Sequence, residues 1–155
     1  MKGFFRQYEL YYVVADERDV IRLRTNYRRD PPEEVHIYRI HGSAENARAL
    51  FHTYLDKVNT LKEHPEFYNS LTTNCTTNIW LQSRVLPGHP PFSWKILISG
   101  HVPEYLYDAG KLDTDVPFAE LQRRSIVNPQ AHAADKAADF AKRIRATSGE
   151  DRPLP

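Results

Sequence analysis

The chain has one cysteine in 155 residues. That excludes a disulfide within it, and with no Cys-x-x-Cys pair or cysteine–histidine cluster it leaves no ligand set for structural zinc. Neither sign of charge prevails. Twenty-one lysines and arginines oppose 20 aspartates and glutamates, and the net charge of +1 gives no electrostatic case for nucleic acid or an acidic membrane as partner. Long apolar runs are absent as well. The longest, Leu10–Ala15, falls far short of the roughly twenty residues that a spanning helix needs. Met1–Gln7 lacks the apolar centre of a signal peptide. There is no internal repeat, and nothing in the chain calls for a metal or other cofactor.

What is present is ordinary for a globular protein: 41% apolar and 26% charged residues, at a length that fits one domain with a normal core. We expect a single region over residues 1–145 and a disordered tail over 146–155, where Ser148, Gly149 and the closing prolines fray the chain.

The cysteine, Cys75, lies in Tyr68–Trp80, among eight serine, threonine or asparagine residues. Hydroxyl and carboxamide side chains ahead of an apolar run mark a helix start. Ile79, Trp80, Leu81, Val85 and Leu86 supply that run, and Pro87-Gly88 ends it. Cys75 is therefore predicted in the first turn of a helix of about ten residues. There, free backbone N–H groups and the positive end of the helix dipole favour a thiolate, as a nucleophile requires. The competing reading is a buried, inert cysteine acting as a small hydrophobe.

Elsewhere the pattern predicts mixed secondary structure. Glu9–Val14 is rich in β-branched and aromatic residues and reads as a buried strand or a short helix, strand preferred, and Val35–Ile40 reads as a strand. Trp94–Gly100 is either a strand or a buried helical turn. Asp16–Asp19 resembles a helix start, although the segment from Val20 to Arg24 also fits a strand. From Ala47 the apolar residues Leu50, Phe51, Tyr54, Leu55, Val58 and Leu61 step by three and four, with Ser43 as N-cap, and predict an amphipathic helix serving as core scaffold. Val102–Gly110 reads as a short helix, with Pro103 at its first position and Gly110 past its end. Beyond Pro129 the alanine-rich chain is expected to be partly helical and loosely attached, anchored by Phe140 and Ile144.

A cysteine nucleophile needs a base held by a third polar group. Of the seven histidines, His36, on a predicted strand, and His101, after Gly100, are the two candidates. Asn74 and Thr76 are candidate polar contacts beside the sulfur, and the Cys75 N–H is a candidate oxyanion donor. Helix capping accounts for the same residues equally well.

Phe4–Leu10, Ala15–Ile21, Leu23–Asn26, Phe67–Asn69, Asn74–Thr77 and Leu106–Gly110 together resemble the Lnb N-terminal periplasmic domain family, a bacterial family catalogued as a domain of unknown function. The resemblance runs from about Gly3 to Arg145, and Tyr68-Asn69 with Asn74-Cys75-Thr76-Thr77 is its most specific part. It implies an α+β class: a small papain-like, circularly permuted NlpC-type thiol fold with helices packed on a short antiparallel sheet. It also implies Cys75 as nucleophile, with Tyr68, Asn69, Asn74 and Thr76 in support. The implied chemistry is acyl transfer or hydrolysis, and one family member moves an acyl chain onto a lipoprotein N-terminus, so an acyl or lipoprotein-like substrate follows. The implied location is periplasmic or membrane-associated. In longer relatives the base histidine and the export or membrane segments lie upstream, and here they would precede Met1. The chain is then expected to be an incomplete fold, and membrane association is expected only through such upstream segments. Three readings stay open: a thiol acyltransferase or hydrolase, a non-catalytic module that binds a lipid, peptide or partner chain at its sheet edge, and a fragment that folds only with upstream chain.

Overall fold

The computed structural model describes residues 8–70 and 72–146. Most of the tail expected over 146–155 and the opening of the Phe4–Leu10 motif lie outside them. The described residues gather into two compact units. One holds residues 8–13 and 42–111, the other 14–41 and 112–146.

Among the described residues the expected sheet does not form: 53% of them are helical and 4% strand, and their only β-contacts are isolated bridges. This overturns the α+β, papain-like expectation. The reason lies in the neighbours. Glu9–Val14 and Val35–Ile40 carry strand-forming aromatic and β-branched residues, but β-propensity only biases a conformation and a ladder needs an adjacent strand. Glu9 bridges only to Phe67, with Leu10 N–H donating to the Glu66 carbonyl at 2.7 Å. His36 bridges only to Ile126. Trp94–Leu97 closes into a 3-10 turn because the Ser93 hydroxyl accepts the Lys95 N–H at 3.3 Å and starts it.

Helix starts follow the capping chemistry. In the first unit, α2 spans Ala44–Glu63 and the Ser43 hydroxyl accepts the Asn46 N–H at 3.1 Å. No α2 residue is buried: Phe51 is 57% exposed, Leu55 42% and Val58 37%. The helix predicted as core scaffold thus turns much of its apolar stripe outward. α3 spans Cys75–Ser83 and α4 Val102–Asp108. Pro103 opens α4, and Gly110 takes the left-handed φ of +65° just beyond its end. Ile96 and Tyr105 are buried between these elements.

In the second unit, α1 spans Glu17–Arg22, capped by the Asp16 carboxylate on the Arg18 N–H at 2.8 Å, which settles the segment as helix. It runs on through a π-helical turn, Leu23–Tyr27. α5 is Phe118–Arg124, α6 Asn128–Ala133 and α7 Phe140–Arg145. Val127, Ala131, Ala134, Phe140 and Ile144 form the core here, each 1% exposed or less, with Ile21, Val35 and Ile37 packed against it. The alanine-rich segment, expected to be loosely attached, is the centre of this unit. The Asn26 amide donates to the Ala131 carbonyl (3.0 Å) and to Asp135 (2.8 Å), and Tyr27 OH reaches the same carboxylate at 3.1 Å. These bonds hold the Asp135 carboxyl below the usual carboxylate range, the Asn26 bond foremost.

Candidate functional site

The loop that delivers the cysteine is tied by its own polar side chains. The Asn69 carboxamide accepts the Thr72 N–H at 3.1 Å, and the Thr73 hydroxyl accepts the Asn69 N–H at 2.8 Å while donating to the Phe67 carbonyl at 3.1 Å. Asn74 then caps α3. Its Oδ1 accepts the Thr77 N–H at 2.8 Å, and its Nδ2 donates back to the Ser70 carbonyl at 2.8 Å. The Thr77 and Thr76 hydroxyls also lie within bonding reach of Oδ1, at 3.0 and 2.9 Å, and Thr76 Oγ1 donates to the Ile96 carbonyl as well. Asn78 Nδ2 donates to the Asn74 carbonyl at 3.0 Å. Asn74 is 5% exposed. Its carboxamide is committed to the cap.

Removing that side chain strands several buried groups at once. Asn74→Ala is expected to lower unfolding stability by about 2 kcal/mol, the upper end for an N-cap. Asn74→Asp keeps the acceptor and should recover most of the loss. Urea denaturation of the two variants checks this; a change below about 0.5 kcal/mol in the alanine variant would contradict the capping role.

Cys75 is the first residue of α3, free and exposed. Its exposure excludes the burial that the competing reading expected. Its side chain opens on a cleft of about 620 Å³. Residues Tyr8–Val13 form one wall of the cleft, Tyr54 of α2 and Tyr68 another, and Cys75, Asn78 and Ile79 of α3 a third. Tyr12 and Tyr54 meet edge to face, their ring centroids 6.1 Å apart. Burial pushes both hydroxyls up in pKa, so they remain protonated donors at neutral pH. The walls are aromatic and aliphatic, and Glu9 is the one charged residue lining them. Among the described residues the thiol is the one strong nucleophile in this space. The arrangement suits an apolar chain lying along tyrosine faces with a reactive group placed at the sulfur.

Of the residues singled out from sequence, Cys75 and Tyr68 meet in the cleft, while Asn69, Asn74 and Thr76 support it from behind. The two histidines do not line it. His36 belongs to the second unit, where Nε2 pairs with Glu34 at 2.9 Å, Nδ1 lies 3.2 Å from the Gln122 carbonyl, and the ring stacks on Tyr38. His101 precedes α4, edge-on to Trp94 and 3.5 Å from Glu104. The sequence reading missed Tyr12, taken for a residue of a strand, Tyr54 and Ile79, taken for apolar helix positions, and Asn78, taken for one of the polar residues at the helix start. Tyr54 is separated from the fully apolar members of its stripe only by its hydroxyl, which is a faint signal.

No helix among the described residues is long and apolar enough to cross a membrane. Comparison with curated proteins and with solved structures finds no match. A family model does match, over residues 1–100. On that match the chain belongs to the Lnb N-terminal periplasmic domain family, a family of the periplasm.

Proposed function

We propose that this chain carries out thiol-dependent acyl transfer or hydrolysis, with Cys75 as nucleophile and the tyrosine-lined cleft as the seat of the acyl chain. The carrying observation is the exposed thiol at the start of α3 inside an apolar cleft. The Cys75 sulfur bonds to an ester carbonyl carbon, and the alcohol leaves with the thiol's proton. An amine or water then attacks the thioester carbonyl and takes the acyl group as the carbon–sulfur bond breaks, giving up one of its own protons to the sulfur. The start of a helix suits this step, because first-turn backbone N–H groups not used by the cap can donate to negative charge developing on oxygen. A lipoprotein-like acyl donor or acceptor fits both the family and the cleft. The placement of His36 and His101 lends neither of them support as the base, so the reading rests on the sulfur and the cleft.

Hydrolysis of p-nitrophenyl esters of increasing chain length tests it. The kcat/KM is expected to rise by at least tenfold from the butyrate to the dodecanoate ester, since each buried CH2 contributes about 0.8 kcal/mol. Equal rates for all chain lengths would detach the cleft from the reaction. The absence of a cleft histidine favours a second reading, an acyl-binding module without turnover. Saturable binding of a long-chain ester with no release of nitrophenol would select it.

A further inference from the structure

The far end of the cysteine helix carries a second device. After Ser83 the chain turns through Arg84 and Pro87–Pro91 and folds back on α3. Trp80 Nε1–H donates to the Pro90 carbonyl at 3.2 Å, Tyr105 OH donates to the Pro91 carbonyl at 2.8 Å, and Phe92 meets the Trp80 ring edge-on at 5.4 Å. His89 sits at the middle of this return. Its ring lies 5.0 Å from the Trp80 ring, and its Nδ1 is 3.1 Å from Ser83 Oγ. The Ser83 hydroxyl donates to the Trp80 carbonyl at 2.8 Å, so its oxygen is left to accept from the imidazole. The other ring nitrogen, Nε2, is enclosed and has no hydrogen-bond partner among the described residues.

We propose that His89 is a pH-sensitive clip, which in its neutral form holds the Pro87–Pro91 loop on the last turn of α3 and on protonation releases it. Charging the ring places a proton on Nε2 where no acceptor waits. The charged groups acting on it are cations, Arg84 at the end of α3 and Lys111. Burial, then Arg84, lowers the His89 pKa below the ordinary value of 6.5; the hydrogen bond at Ser83 pulls the other way and is outweighed, with Lys111 adding a smaller lowering. The unfolded or released loop therefore binds the proton more readily than the clipped one. The stabilisation is fully present above 6.5 and is lost as pH falls through and below it.

Trp80 reports on the clip directly, because a protonated imidazole against an indole quenches its emission. In a Trp94→Phe background, which removes the other tryptophan, emission on titration from pH 8 to pH 4 should change with a midpoint below 6.5. The change should vanish in the added variant His89→Gln. A titration unchanged in His89→Gln, or a midpoint at or above 6.5, overturns the proposal. Should His89→Gln fail to fold, the Cε1–H resonance of His89 in the wild-type chain decides by NMR: a midpoint below 6.5, together with loss of amide protection over residues 84–91, supports the clip. A midpoint at or above 6.5, or protection that persists through it, refutes it. The outcome is independent of any activity at Cys75.

Discussion

Cys75→Ser is expected to abolish ester turnover, a loss of at least 10³-fold, while leaving unfolding stability within about 0.5 kcal/mol of wild type. Both halves follow from position. The side chain is exposed at the first position of α3 and is engaged in no core packing, so replacing sulfur by oxygen leaves no cavity. The hydroxyl, however, ionises far less readily than a thiol and is a poor nucleophile without an adjacent base. A buried structural cysteine behaves in the opposite way, costing several kcal/mol on truncation to alanine. Urea denaturation of Cys75→Ser and Cys75→Ala, run beside the ester assay, separates the cases. Retained turnover in the serine variant would remove Cys75 from the mechanism, and a large stability loss in the alanine variant would restore a structural role.

The largest stability effect is expected in the core of the second unit. Phe140 is 1% exposed and packs with Val127, Ala131, Ala134 and Ile144, so Phe140→Ala should cost about 3–5 kcal/mol. Domains of this size are stable by about 5–15 kcal/mol in total, so the second unit would stand near its unfolding threshold. Phe51→Ala is the internal control, since at 57% exposure on α2 it should cost about 1 kcal/mol or less. Hydrogen exchange on the two variants reads the difference. Fast exchange of α6 and α7 amides is expected in the first, and near wild-type protection in the second. Equal effects from the two phenylalanines would contradict the assigned core.

The contrast between these two residues shows what the sequence made legible. Capping chemistry is local, and so Asp16, Ser43 and Asn74 were identifiable as helix starts from their neighbours alone. Pro103 and Gly110 likewise bracket α4 through fixed backbone preferences. Burial is not local. The α2 stripe is periodic, which predicts a face, but periodicity does not state what covers that face. The alanine-rich segment looked loosely held because it offers few large side chains. Yet Ala131 and Ala134, at 0% and 1% exposure, are what let Phe140 and Ile144 pack close to the helix backbone. The strands failed for a related reason: Glu9–Val14 and Val35–Ile40 have strand-like residues but pair only at isolated bridges.

The site divided in the same way. Cys75 was legible because a lone thiol among capping residues is a chemical anomaly. Tyr12 and Tyr54, which shape the space around it, were not, since an aromatic residue that lines a cleft and one that fills a core have the same pattern in sequence.

Intact-protein mass spectrometry after incubation with p-nitrophenyl dodecanoate tests the central claim most directly. One dodecanoyl group per chain is expected, mapped to the peptide containing Cys75, released by neutral hydroxylamine as a thioester, and absent from Cys75→Ala. An unmodified Cys75 under conditions where iodoacetamide alkylates it in the folded protein would contradict the account, because the thiol would then be accessible and yet unable to take an acyl group.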